Sequence, residues 1–223
     1  GIFEKDGSGR LIVARTQKTF DGDLNILNGE LKLETELGGV EGNIVDVTVN
    51  GGATLSGTDA GEISGEVTVE SGGTMSGGLT IERGVTVELG GTISGELVIV
   101  RDLQLNGTLD LDPGTTMTAD TATIAAGSMI EMTASTNTFD TGLLEVTGAV
   151  TLEAATVRVD FDTDLVSEFI ADGPNSVQSF TIIEGAAVVG QLTGGSAGDG
   201  IEFELALFEL ALTYNDAACT GTG

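Results

Sequence analysis

Three aspartates at alternate positions are the residues of this chain best spaced to do chemistry. Asp160, Asp162 and Asp164 follow one another at every second position, and alternate residues of a β-strand point to the same side. Carboxylate oxygens are the ligands that Ca²⁺ prefers, so these three residues are the candidate metal site and calcium is the one candidate cofactor. The glycine and the distant glutamate of an EF-hand loop are absent here, and a solvated acidic edge is the simpler interpretation.

Paired carboxylates also suit glycoside hydrolysis, but the rest of the chain offers them little support. The sequence has no His, no Trp and one Cys, Cys219, which excludes Ser-His-Asp and Cys-His catalysis and leaves zinc without its usual ligands. A lyase would want a basic group. Arg83 and Arg101, eighteen residues apart, should stack on one face, where a contact with Glu82 or Asp102 is the simpler interpretation. We therefore expect a protein that is not an enzyme, with no catalytic and no cofactor-binding residues.

The charge balance is extreme and limits the partners that the chain can bind. The sequence carries 35 acidic and 8 basic residues, a formal net charge of -27. Such a surface repels phosphate, so we expect no binding to nucleic acid or to anionic membrane, and the charge is typical of a soluble, aggregation-resistant protein. No apolar run is long enough for a transmembrane helix. Because the sequence begins at Gly1 with a strand-like pattern, we expect a processed or excised piece of a longer protein.

An internal repeat of eighteen residues is strictest between 63 and 132. Apolar residues recur at this period in five columns: Ile63, Ile81, Ile99 and Met117; Val67, Val85 and Leu103; Val69, Val87 and Leu105; Met75, Ile93, Leu111 and Met129; and Leu79 and Leu97. Between them, short runs alternate apolar and polar residues with the period of a half-buried strand, and Gly, Ser and acidic residues separate the runs. Repetition at a fixed period predicts units that bury their apolar faces against one another.

The two periods together predict an all-β fold, a parallel β-helix (β-solenoid) with three short strands per coil of about 18–24 residues. We expect coils over residues 1–156 and a C-terminal capping region over residues 157–223, with helical content only at 165–170. Successive coils should pair as parallel strands and stack equivalent residues. Rows of Thr-x-Thr could bind ice if they repeated, but residues 116–118 and 121–123 do not recur at the coil period, so we do not expect an ice-binding surface.

Both flanks of the repeat resemble the passenger domains of bacterial autotransporters. Residues 5–11 and 20–31 resemble the passenger-associated repeat, and residues 146–155, 181–185 and 212–214 resemble the end of a passenger. The resemblance covers most of the chain, although its motifs consist mainly of Gly and apolar positions. It implies a right-handed parallel β-helix that is exported across the outer membrane to the cell surface. The short strict period is also similar, more weakly, to bactofilin-like β-helical polymers.

These observations predict a non-enzymatic structural or adhesive protein of a bacterial cell surface or of the extracellular space. We expect self-association through the ends of the β-helix into filaments, and contacts with a host, a cell or surface glycans. Two alternatives stay open. One is a β-helical carbohydrate-active enzyme, a lyase or glycoside hydrolase, and the other is a cytoplasmic bactofilin-like scaffold.

Overall fold

The protein is built of β-strands throughout the part that a computed structural model describes, which comprises residues 1–15, 20–38, 43–134, 142–161 and 181–193. No helix occurs in these ranges, and so none that could cross a membrane. The seventeen strands are β1 (Ile2–Lys5), β2 (Arg10–Val13), β3 (Gly22–Ile26), β4 (Gly29–Leu33), β5 (Glu36–Leu37), β6 (Val45–Val49), β7 (Ala53–Ile63), β8 (Val67–Val69), β9 (Thr74–Ile81), β10 (Val85–Val87), β11 (Thr92–Ser94), β12 (Leu97–Leu105), β13 (Thr108–Leu111), β14 (Thr116–Ile124), β15 (Met129–Ala134), β16 (Leu143–Phe161) and β17 (Ile183–Thr193).

Pairing is parallel between these strands, and the eighteen-residue register is confirmed over the middle of the chain. Val85 of β10 lies opposite Val67 of β8 on one side and Leu103 of β12 on the other. Likewise, Ile63 of β7 pairs with Ile81 of β9, which pairs with Ile99 of β12. Alternation places these apolar side chains in the interior, since each is 2% exposed or less. The columns Val69-Val87-Leu105 and Leu79-Leu97 are confirmed in the same way.

The prediction that equivalent residues pair eighteen positions apart is wrong for the other columns, because the turns between strands differ in length. Ile93 lies opposite Leu109, sixteen residues on, and not opposite Leu111. Four residues separate β10 from β11, but only Asn106 and Gly107 separate β12 from β13, so the second turn is two residues shorter. Ile99 lies opposite Ala119, not Met117, in a pairing of β12 with β14 that shifts register after Ile99.

The fold prediction of a right-handed parallel β-helix with three short strands per coil is wrong. Seven strands pair in a closed ring, in the order β9, β11, β13, β15, β16, β14, β12 and back to β9. They form a closed parallel barrel, and the other strands lie outside it. The ring closes because several strands are long, up to the 19 residues of β16, and pair with two neighbours in turn.

Long strands arise where the sequence predicts breaks. β9 runs through Ser76, Gly77 and Gly78 without ending, and β7 runs through Gly57 and Gly61. Gly77 has φ 89°, which lets the chain bend sharply while it remains paired. The glycine-rich segments therefore act as bends inside strands and not as loops between short ones.

The interior is apolar along the whole described stack. Buried side chains run from Leu24 in β3 to Val157 in β16, and the buried polar residues among those described are Lys5 and Ser128. The Ser128 hydroxyl oxygen lies 2.7 Å from the Leu105 carbonyl, so its polarity is satisfied. Within the described residues, no buried side-chain nitrogen or oxygen is without a hydrogen-bond partner. The predicted capping region begins inside β16, which crosses the boundary at 156 and 157, and the predicted helix at 165–170 lies outside the described residues.

Candidate functional site

The predicted calcium ligands fall at the margin of the described structure. Asp160 is in β16, where its backbone pairs opposite Thr133 of β15. Asp162 and Asp164 lie outside the described residues, as does Cys219. Among the residues that are described, no three His, Cys, Asp or Glu side chains gather as a metal site would require. The calcium site at these three aspartates therefore stays a prediction.

The two arginines at the repeat spacing are neighbours in the structure. The backbone N–H of Arg101 donates to the Arg83 carbonyl at 3.2 Å, which confirms that the two residues stack. Neither side chain forms an ion pair with Glu82 or Asp102, and the predicted contact with one of these two residues stays a prediction. Asp102 instead accepts a hydrogen bond of 2.6 Å from the Thr121 hydroxyl on β14.

A charged network links three neighbouring strands near the start of the chain. Glu30 of β4 accepts hydrogen bonds from the Arg10 guanidinium at 2.5 Å and from the Ser56 hydroxyl at 2.7 Å. The Ser56 hydrogen bond, followed by that of Arg10, lowers the pKa of Glu30 below its usual value. The spacing of 20 residues from Arg10 to Glu30 and 26 from Glu30 to Ser56 hides this network from a search at the repeat period.

The turn after β1 is fastened by a buried lysine. The Lys5 ammonium donates to the carbonyl oxygens of Gly7 at 2.6 Å and Asn28 at 2.7 Å. Asp6 beside it accepts from the Asn28 side-chain amide at 3.0 Å, and this bond, with that of the Gly7 backbone N–H, lowers the pKa of Asp6. These contacts tie the first turn to the next layer of strands, which is a structural role.

An open depression of about 270 Å³ lies on the surface of the described structure. Its lining residues are Asp59, Gly78, Leu79, Thr80, Glu96, Val98 and Thr116. Two carboxylates line it, but no basic or aromatic side chain does. Ligand pockets usually enclose a molecule with apolar and aromatic walls around a few polar groups. The depression differs from such a pocket because it is open and no aromatic side chain lines it.

A regular array of hydroxyl groups covers one outward side of the sheet. We call this array the hydroxyl face, and its residues are Thr54 and Ser56 on β7, Thr74 and Ser76 on β9, Thr92 and Ser94 on β11, and Thr108 on β13. Thr54 lies opposite Thr74 and Ser56 opposite Ser76, and Thr74 lies opposite Thr92, which lies opposite Thr108. All seven side chains are half-buried.

The comparison with known proteins leaves the resemblance to passenger domains as a prediction. No model of a protein family matches the chain, and the searches of curated proteins and of solved structures found no match to it.

Proposed function

We propose that the chain is a non-enzymatic structural and adhesive protein, which acts on a bacterial cell surface or in the extracellular space. One observation carries the proposal: the described interior is filled with apolar side chains in register, with Lys5 and Ser128 as the buried polar residues. A barrel packed in this way is a core and has no room for a substrate. What the protein does must therefore come from its surface.

Self-association is the second part of the proposal. In the described part of the chain, β1 pairs with β3 alone and β2 with β4 alone, so each presents one unpaired strand edge. The Gly9 carbonyl accepts from the N–H of Glu30 in β4, and the Val13 carbonyl accepts from that of Glu34, directly after β4. Arg10 and Ile12 therefore direct their N–H and C=O groups away from β4. An unpaired edge is a template for adding a strand from another chain.

The two strands with unpaired edges, β1 and β2, also carry exposed apolar side chains. Ile2, Phe3, Leu11 and Ile12 are exposed by 37% to 69%. Phe3 and Leu11 pair opposite Leu24 and Leu31, which are buried, so they belong to the inward-facing set at the end of the stack. A second copy that covers this end would bury them.

The test is sedimentation velocity and negative-stain electron microscopy across a range of concentrations. We expect assembly that grows with concentration in the natural chain and is lost in Leu11→Lys. Leu89→Lys is the matched control, because Leu89 is 69% exposed on a turn away from this end. A natural chain that stays monomeric throughout contradicts self-association. Hydrolysis or elimination of a polysaccharide by the purified chain contradicts the non-enzymatic role. Immunolabelling of intact source cells tests the location.

A further inference from the structure

We propose that the hydroxyl face binds an ordered water surface, that of ice. The inference rests on the proposed adhesive function, because it names the surface to which the protein would adhere. The sequence predicts no ice-binding surface, because the Thr-x-Thr segments at 116–118 and 121–123 do not repeat. The structure shows a different array, in which Thr-x-Ser segments lie on strands that pair with one another.

Six of the seven hydroxyl groups have no hydrogen-bond partner within the described part of the chain. The exception is Ser56, which donates to Glu30 at 2.7 Å. By contrast, the hydroxyls of Thr121 and Thr147 donate hydrogen bonds to the carboxylates of Asp102 and Asp120, respectively. A hydroxyl has one donor and two acceptor sites, so the six groups direct this capacity to the solvent.

Parallel pairing fixes the spacing of these groups in two directions. Neighbouring strands lie about 4.8 Å apart, and residues two apart on one strand lie about 6.6 Å apart. The threonines therefore form one row across four strands, Thr54-Thr74-Thr92-Thr108. Two residues further along, Ser56 lies opposite Ser76, and Ser94 follows Thr92 by the same step on β11. Because Thr is β-branched, its hydroxyl is held in few rotamers and loses little freedom when water binds. An array that repeats in two directions fits the surface of a crystal better than it fits a single flexible molecule.

The face is uncharged in a chain whose formal net charge is -27. Charges begin at its borders, with Glu30 and Lys32 on β4 and Asp110 on β13. An ionic partner would find no counter-charge among the seven residues. A polysaccharide would find no ring to stack on, since the face carries no aromatic residue and the whole sequence has no Trp and one Tyr. A neutral lattice of hydrogen-bonding groups is the partner that these side chains match.

A second threonine row supplies the matched control. Thr48, Thr68 and Thr86 lie opposite one another on β6, β8 and β10. β8 and β10 have three residues each, with a single outward position, so they contribute one row and not two. Exposed acidic residues, Glu70 and Glu88, follow β8 and β10 directly. Thr74 and Thr68 each lie between threonines on the two adjacent strands. Thr74 lies in the hydroxyl face, whereas Thr68 lies in a single row next to acidic residues.

The experiment measures inhibition of ice recrystallisation and thermal hysteresis with the natural chain, Thr74→Lys and Thr68→Lys. We expect activity in the natural chain, retention in Thr68→Lys and loss in Thr74→Lys, with equal circular dichroism spectra and melting temperatures. If Thr74→Lys does not fold, Ser76→Lys on the same face replaces it. No activity in the natural chain, or the same activity in both variants, overturns the proposal.

Sedimentation with powdered cellulose and chitin runs in parallel. Binding to these polymers without an effect on ice overturns the proposal and assigns the face to a polysaccharide. The result is separable from the proposed function, since Leu11→Lys should lose self-association and keep ice activity. Loss of ice activity with intact self-association counts against this inference alone.

Discussion

Truncation of Ile81 is the most direct test of the register that the structure assigns to its core. Ile81 is 0% exposed and lies in β9 between Ile63 of β7 and Ile99 of β12. Ile81→Ala removes three carbon atoms from the middle of this column. The strands on both sides are fixed by backbone hydrogen bonds, such as the one of 2.9 Å from the Glu82 N–H to the Ile63 carbonyl.

The magnitude follows from the cavity that would remain. Replacement of a buried Ile by Ala costs about 2–5 kcal/mol, and less where the walls can close on the gap. Because strand pairing holds the walls here, we expect about 3–5 kcal/mol for Ile81→Ala and about 0.5–1.5 kcal/mol for Ile81→Val. A chain of this size loses about 2–4 °C of melting temperature per kcal/mol, so the Ala variant should melt about 6–20 °C lower.

The assay is unfolding in guanidinium chloride, followed by far-ultraviolet circular dichroism. A lower midpoint with an unchanged slope reports lost stability without a change in the surface exposed on unfolding. Val100→Ala is the control, since Val100 is 44% exposed on the neighbouring strand, and it should stay within about 0.5 kcal/mol. If Ile81→Ala costs no more than this control, the assigned register is refuted.

Three further predictions concern bends, acid and salt. Gly95 and Gly52 both have positive φ, but a Cβ at Gly95 would meet backbone atoms of Gly77, while a Cβ at Gly52 would meet no atom within 4 Å. Gly95→Ala should therefore lower the midpoint of unfolding in guanidinium chloride more than Gly52→Ala does. Equal losses in the two variants would contradict this prediction. The pKa of Glu30 is lowered by hydrogen bonds from Ser56 and Arg10, so its contribution is present above the unfolded pKa and is lost as pH falls through the folded one. Acid titration of stability should therefore be steeper below about pH 4.3 in the natural chain than in Glu30→Gln, and parallel curves would refute the role. With a net charge of -27, the excess acidic side chains repel one another in the folded chain, and salt screens this repulsion. NaCl should therefore raise the melting temperature measured by scanning calorimetry, and a lower melting temperature in salt would contradict this prediction.

The sequence predicts the strands and much of the register because the Val-Thr-Val triplets allow only one face to be buried. Val67, Val85 and Leu103 align as expected, since a shift by one residue would turn each apolar side chain outward. The architecture is not predictable in the same way. It depends on whether Gly77 ends a strand or bends it, and glycine permits both.

The hydroxyl face is hidden from the sequence by unequal turns. Thr54 and Thr74 are 20 residues apart, Thr74 and Thr92 are 18 apart, and Thr92 and Thr108 are 16 apart. A search at one fixed period therefore aligns only one of these pairs. A search for the triplet Thr-apolar-Ser, without a fixed period, would find residues 54–56, 74–76 and 92–94. The Glu30 network is hidden for the same reason, since its partners come from strands joined at different spacings.

Ionic strength separates the two surfaces on which the proposals rest. Copies of a chain with a net charge of -27 repel one another, so association through Leu11 and the edge of β2 has to overcome this repulsion. Raising salt from about 0.01 M to about 0.1 M shortens the screening length from about 30 Å to about 10 Å, so self-association should strengthen. The hydroxyl face carries no charge, and its inhibition of ice recrystallisation should change little over the same range, measured against buffer controls of equal salt. Self-association that weakens with salt would show that attraction between opposite charges, and not apolar contact, joins the copies. Ice activity that falls with salt would place its origin among the charged residues that border the face.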